Sequence, residues 1–122
     1  MMVAFNFQSD FAAPIESQQK IQTVRSKQRA FAGDVLQLYT GQRTKLCRRL
    51  LPGKTVVCAV SDYCHLAPGE ITFGDRSLHP ENLDDFARMD GFCDYDEMMA
   101  WFQERYNQRH FVGWVHRWRI EP

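Results

Sequence analysis

The sequence predicts an α+β domain: a small, partly open β-barrel of five to six strands with two to three helices. Three observations predict it. Apolar and polar residues alternate over short, unevenly spaced stretches, the period-2 signature of half-buried strands. Two segments after residue 80 carry the i, i+3, i+4 spacing of amphipathic helices. The resulting order of strand, helix, four strands, two helices and strand contains too few helices for a parallel sheet with crossovers. At 122 residues the chain is long enough for one sizeable core, and residues 1–122 are read as a single domain.

Phe5 and Phe7 alternate with Ala4 and Asn6, so residues 3–8 form the first strand. Pro14 suits an early helical position, and Ile15 to Gln19 add one or two turns. Residues 20–25 are the second strand, and Gly33-Asp34 turns the chain into a third, Val35 to Tyr39. A loop, Thr40 to Lys45, leads through Leu46–Leu51 to a turn at Pro52-Gly53. Lys54 to Val60 is the most apolar strand and is placed centrally, with Tyr63 to Pro68 continuing it irregularly. Glu70 to Phe73 is a further strand. Pro80 opens a helix that Gly91 closes, and Asp94-Tyr95-Asp96-Glu97 has the layout of a capping box for the next. That helix presents Tyr95, Met98, Met99, Phe102 and Tyr106 on one side, a stripe read as core. Phe111 to Ile120 is the closing strand, with Val112, Trp114, His116, Trp118 and Ile120 on one face and Val115, Arg117 and Arg119 on the other. Its tryptophans either cap the core or form a base-stacking platform. The residues expected in the core are Phe5, Leu36, Leu38, Val57, Val60, Ile71, Phe86, Met98 and Phe102.

No apolar run approaches the roughly 18 residues of a membrane span. The start, Met1 to Phe7, lacks the basic leader and apolar length of a signal peptide. Cys47, Cys58, Cys64 and Cys93 form no CxxC pair, and His65, His79 and His110 show no ligand spacing. Reduced thiols, a cytoplasmic location, and no metal or other cofactor are therefore expected. The net charge is zero, yet residues 20–54 carry nine Lys/Arg against one acid, and residues 61–104 carry two against eleven. Either the two segments neutralise each other or the basic one meets an anionic partner. Arg43, Lys45, Arg48 and Arg49 are clustered in the loop after Thr40, a solvated loop or an anion-binding lip.

The stretch Lys20-Ile21-Gln22-Thr23-Val24-Arg25 places an amine, a hydroxyl and a guanidinium on one strand. Ile21, Thr23 and Arg25 share a face, whereas Lys20 points to the other unless the strand begins just after it. A polar cluster here is either a half-exposed edge or the floor of a pocket.

Taken with Gly33-Asp34-Val35-Leu36, Asp90-Gly91-Phe92 and the run Leu38 to Arg48, this Lys-x-x-Thr-x-Arg strand resembles the ASCH domain of the PUA-like superfamily, in the short form found in bacteria and phages. The resemblance runs from about Phe5 to Ile120 and implies a PUA-like barrel with a cleft beside that strand. It implies a module that binds RNA, a nucleotide or a modified base. Arg25, Arg43, Lys45, Arg48 and Arg49 would contact nucleic acid. One branch of the family hydrolyses N4-acetylcytidine-type amides without metal, through a lysine, a threonine and a glutamate. Those positions fall on Lys20, Thr23 and Asp90, the last one methylene shorter, and Gln18 stands where the family has glycine. In that chemistry a desolvated lysine activates the threonine hydroxyl, an acid serves the leaving amine, and Arg25 steadies an oxyanion. The alternatives are an ion pair between Lys20 and Asp90 that only closes the barrel, or an accessory protein whose surface binds another protein. A monomer is expected.

Overall fold

Alternation of Phe5 and Phe7 with smaller or polar neighbours builds β1 (Met2–Phe7), both rings buried. The computed structural model describes all 122 residues, Met1–Pro122. A 3-10 turn, Ser9–Phe11, runs directly into α1 (Ala12–Glu16), whose Ala12 and Ile15 face the core. There follow β2 (Gln22–Arg25), β3 (Val35–Thr40), β4 (Arg48–Leu50), β5 (Val56–Ala67), β6 (Glu70–Phe73) and β7 (Arg76–Ser77). A second 3-10 turn, Pro80–Asn82, precedes α2 (Leu83–Met89), then α3 (Tyr95–Tyr106) and β8 (Phe111–Ile120) complete the chain. The molecule is thus α+β, one mixed eight-stranded sheet with three short helices. No helix is long and apolar enough to cross a membrane.

β5 is the spine. Along one edge it pairs with β8 from Val56 to Leu66, and along the other it pairs first with β3 and then with β6. β1 adds to β3 in parallel, and β2 adds to β8 antiparallel. β1 and β2 are not paired with each other, so the ladder does not close. Side chains bridge that gap: the Arg25 guanidinium donates to the Asn6 carbonyl at 2.9 Å.

Two hydrophobic clusters hold the sheet. One joins Phe5, Phe7, Ile15, Leu36, Leu38, Leu50 and Trp118; the other joins Leu66, Ile71, Phe86, Met98, Phe102 and Val115. Phe11 packs against both.

Several expectations are corrected. The strands number eight, not five or six, because β4 and β7 are short pieces defined by pairing to β3 and β6. Tyr63 to Ala67 is regular strand, not an irregular continuation. Val60 is half-buried, because a bulge between Cys58 and Val60 shifts the register against β8. The helix expected from Pro80 is 3-10 for its first turn. On β8 the buried face changes sides, from Phe111, Gly113 and Val115 to His116 and Trp118, because the two clusters cover opposite faces of the strand. Trp118 is core, whereas Trp114 lies edge-on to Tyr63 with centroids 6.0 Å apart. His116 is a core histidine whose Nε2 accepts from the Arg29 amide at 2.9 Å.

Candidate functional site

α2 ends where Gly91 takes φ +96°, a left-handed angle suited to the residue after a helix cap. Its last carbonyls, which carry the negative end of the helix dipole, turn toward the start of β2. The Met89 carbonyl accepts from the Ile21 amide at 2.8 Å, and the Asp90 carbonyl accepts from the Lys20 amine at 2.5 Å. Because β2 begins at Gln22, Lys20 is free of the strand's alternation and turns inward. Gly91 makes room for it: a Cβ there would lie 2.9 Å from Lys20 Cδ.

Lys20 and Asp90 are both buried, at 2% and 3% exposure. The amine also donates to the Gln22 carbonyl at 2.8 Å, and it lies 3.9 Å from Asp90 Oδ2 and 4.7 Å from the centroid of Phe11. Burial, only partly offset by the Asp90 charge, pushes the amine down to about 8. Burial likewise pushes the Asp90 carboxyl up to about 6, against the pull of Lys20. Asp90 Oδ1 is buried without a hydrogen-bond partner, a costly condition in an interior.

Beside this pair opens a cavity of about 90 Å³. Lys20, Thr23 and Asp90 line it together, with Arg25 at its side. Phe7, Phe11, Phe92, Trp101 and Tyr106 supply aromatic walls, and Arg105 of α3 lies at the same opening. The Thr23 hydroxyl accepts from Arg25 Nε at 3.2 Å and makes no hydrogen bond to Lys20. No group of three or more His, Cys, Asp or Glu is arranged to hold a metal ion.

The basic loop is elsewhere. Arg43, Lys45, Arg48 and Arg49 are exposed, and none of them lines the cavity. The loop stands next door, tied to β1 by the Gln42 amide donating to Asn6 Oδ1 at 2.9 Å. Arg48 pairs with Glu16 at 3.0 Å. Of the five ion pairs in the molecule, only Lys20–Asp90 joins the basic segment to the acidic one.

Sequence reading missed Gln22, whose Oε1 accepts from Arg117 at 2.8 and 3.0 Å directly behind the pair. It also missed Trp101 and Arg105. Their i, i+4 spacing on α3, beside the apolar stripe, was the available signal. Comparison of the chain with protein-family models, with curated proteins and with solved structures finds no match in any of the three.

Proposed function

We propose that the chain is an ASCH-type, PUA-like module that binds a nucleobase, as part of a nucleotide or an RNA end, in the cavity beside Lys20. The observation that carries this is the pairing of an unsatisfied acceptor, Asp90 Oδ1, with aromatic walls in one opening. A flat heterocycle with an exocyclic amine would satisfy the acceptor and lie against the aromatic wall that Phe11 and Trp101 form edge-to-face, their centroids 5.8 Å apart. Bridging of β1 and β2 by Arg25 supports reading the sheet as a PUA-like barrel with a side-chain seam. Arg43, Lys45 and Arg49, which have no carboxylate partner, would meet the phosphates of a longer RNA. Titration of tryptophan fluorescence with nucleosides, nucleotides and short RNAs tests the reading. Saturable quenching, weakened in Asp90→Asn, is expected. An unchanged signal with every ligand would refute it.

One observation favours a second reading, a metal-independent amidohydrolase for N4-acylated cytidines. The Lys20 amine, lowered from 10.5 to about 8, gives up its proton in mildly alkaline solution and is suited to act there as a base. In that reaction Thr23 attacks the acyl carbon as Lys20 takes its proton, and that proton passes by way of Asp90 to the departing amine as the C–N bond breaks. Water then hydrolyses the acyl-threonine ester to release the acid and restore the hydroxyl. Thr23 would have to turn from Arg25 toward Lys20 once substrate is bound. Release of cytidine from N4-acetylcytidine, abolished in Lys20→Ala and Thr23→Ala and raised in Asp90→Glu, is the expected result. Absence of turnover in both wild type and Asp90→Glu would leave the binding module alone.

A further inference from the structure

We propose that Arg25 and Arg105 form a phosphate subsite at the mouth of the cavity, so that its ligand is a nucleotide or a phosphorylated RNA end and not a free nucleoside. The proposal rests on the nucleobase reading of the cavity and adds the charge its ligand must carry. The cavity lining contains three cations, Lys20, Arg25 and Arg105, against one carboxylate, Asp90. That carboxylate is already spent on Lys20. Arg25 is half-buried and joins no ion pair. Its guanidinium lies 5.2 Å from the centroid of Phe5 and 5.1 Å from that of Phe7, which hold its plane in place. Of its five N–H donors, one goes to the Thr23 hydroxyl and one to the Asn6 carbonyl. A half-buried cation that keeps free donors and lacks a counter-ion bears a desolvation cost that an anion would relieve.

Arg105 supplies the other side. It is exposed, has no carboxylate partner, and lies 6.0 Å from the centroid of Trp101. Arg25 and Arg105 come from β2 and α3, so they flank the opening from two elements. Arg29, exposed and also without an ion pair, lies over the other ring Arg25 touches, 5.5 Å from the centroid of Phe5. Guanidinium groups are well shaped to hold a phosphate through paired N–H donors. With the base against Trp101, an attached phosphate would meet both arginines without leaving the opening.

The test compares cytidine with cytidine 5′-monophosphate, adenosine with its 5′-monophosphate, inorganic phosphate alone, and an RNA trinucleotide with and without a terminal phosphate. Tryptophan fluorescence or calorimetry is read on wild type, Arg105→Gln and Arg105→Lys at about 50 and 300 mM KCl. The phosphorylated ligand should bind about tenfold tighter or more, and the advantage should shrink at the higher salt. Arg105→Gln should lose most of the advantage and Arg105→Lys keep part of it, with melting temperatures unchanged because residue 105 is exposed. Whichever phosphorylated ligand gains more identifies the source of the phosphate. Equal binding of nucleoside and nucleotide would overturn the subsite and leave the base cavity standing. Phosphate or nucleotide binding lost in Arg105→Gln, with no response to any nucleoside, would uphold the subsite and overturn the base cavity. No binding of any ligand would overturn both.

Discussion

The Lys20 amine sits closer to the backbone of Asp90 than to its carboxylate: Nζ is 2.5 Å from the carbonyl oxygen and 3.9 Å from Oδ2. Its position is therefore set by the end of α2 and by the Gln22 carbonyl, while the carboxylate mainly balances its charge. The two roles separate by substitution. Asp90→Asn leaves the amine held but strips a buried cation of its counter-ion, and should cost about 3 kcal/mol in urea unfolding. Lys20→Met together with Asp90→Asn removes both charges and should lie within about 1 kcal/mol of wild type. A double variant as unstable as Asp90→Asn would show that the loss in the single variant does not come from leaving the Lys20 charge unpaired.

Gly91 tests the packing around the same amine. A Cβ at this position would lie 2.9 Å from Lys20 Cδ and 3.2 Å from Phe11 Cδ1, at φ +96°. Gly53, at φ +78°, has open space around its missing Cβ. Alanine at Gly53 meets only the backbone penalty of about 1 kcal/mol, whereas Gly91→Ala adds a steric clash and should lose about 2–4 kcal/mol. A matching loss at both positions would place the whole effect in the backbone.

Local pattern carried much of the fold and only half of the site. Strand β1 and helix α3 were legible because each buries one face against a core, and burial writes a period into the sequence. The Asp94 cap was legible for a similar reason, since its side chain accepts from the Glu97 amide within one turn, at 2.9 Å. The second half of β5 was not. Ser61, Asp62 and Tyr63 are polar because that part of the strand faces outward, and what makes it a strand is pairing to β8, some fifty residues away in sequence. Lys20 and Thr23 could be singled out because they share a short segment. Their companions in the cavity come from β1, the 3-10 turn, the end of α2 and α3, brought in by tertiary packing that no local period reports.

Gln18 has φ +65°, in the left-handed region where a side chain costs roughly 1–2 kcal/mol. It is exposed and lies in the turn that delivers the chain to Lys20, with its amide donating to the Ile15 carbonyl at 3.0 Å. Glycine accepts that angle freely but is more disordered when unfolded, which returns about 0.5–1 kcal/mol of the gain. Gln18→Gly should therefore raise stability by about 0.5 kcal/mol, a rise in melting temperature of about 2 °C for a domain of this size. A loss of stability would mean that the glutamine side chain contributes more than the strain of its backbone costs.

Titration of the buried pair gives the last prediction, and its sign follows from burial. Lys20 has its amine lowered from 10.5 to about 8, so between those values the unfolded chain holds a proton that the native chain has released. Stability then rises with pH across that window, and the gain is lost as pH falls through about 8. Asp90 is raised from 3.8 to about 6, so between those values the native chain holds the extra proton. Here stability falls as pH rises, and the contribution present below 3.8 is gone above about 6. The two slopes frame a trough between about pH 6 and 8, where both groups are charged and both bear the cost of burial. Lys20→Met/Asp90→Asn carries neither slope. The stability of wild type relative to this variant should thus be lowest near neutral pH and higher at pH 4–5 and at pH 9–10, with every other titrating group cancelling in the difference. Urea unfolding of both proteins across that range reads it directly. A difference that is flat with pH, or one that favours wild type most near pH 7, would show that pairing outweighs desolvation at this site.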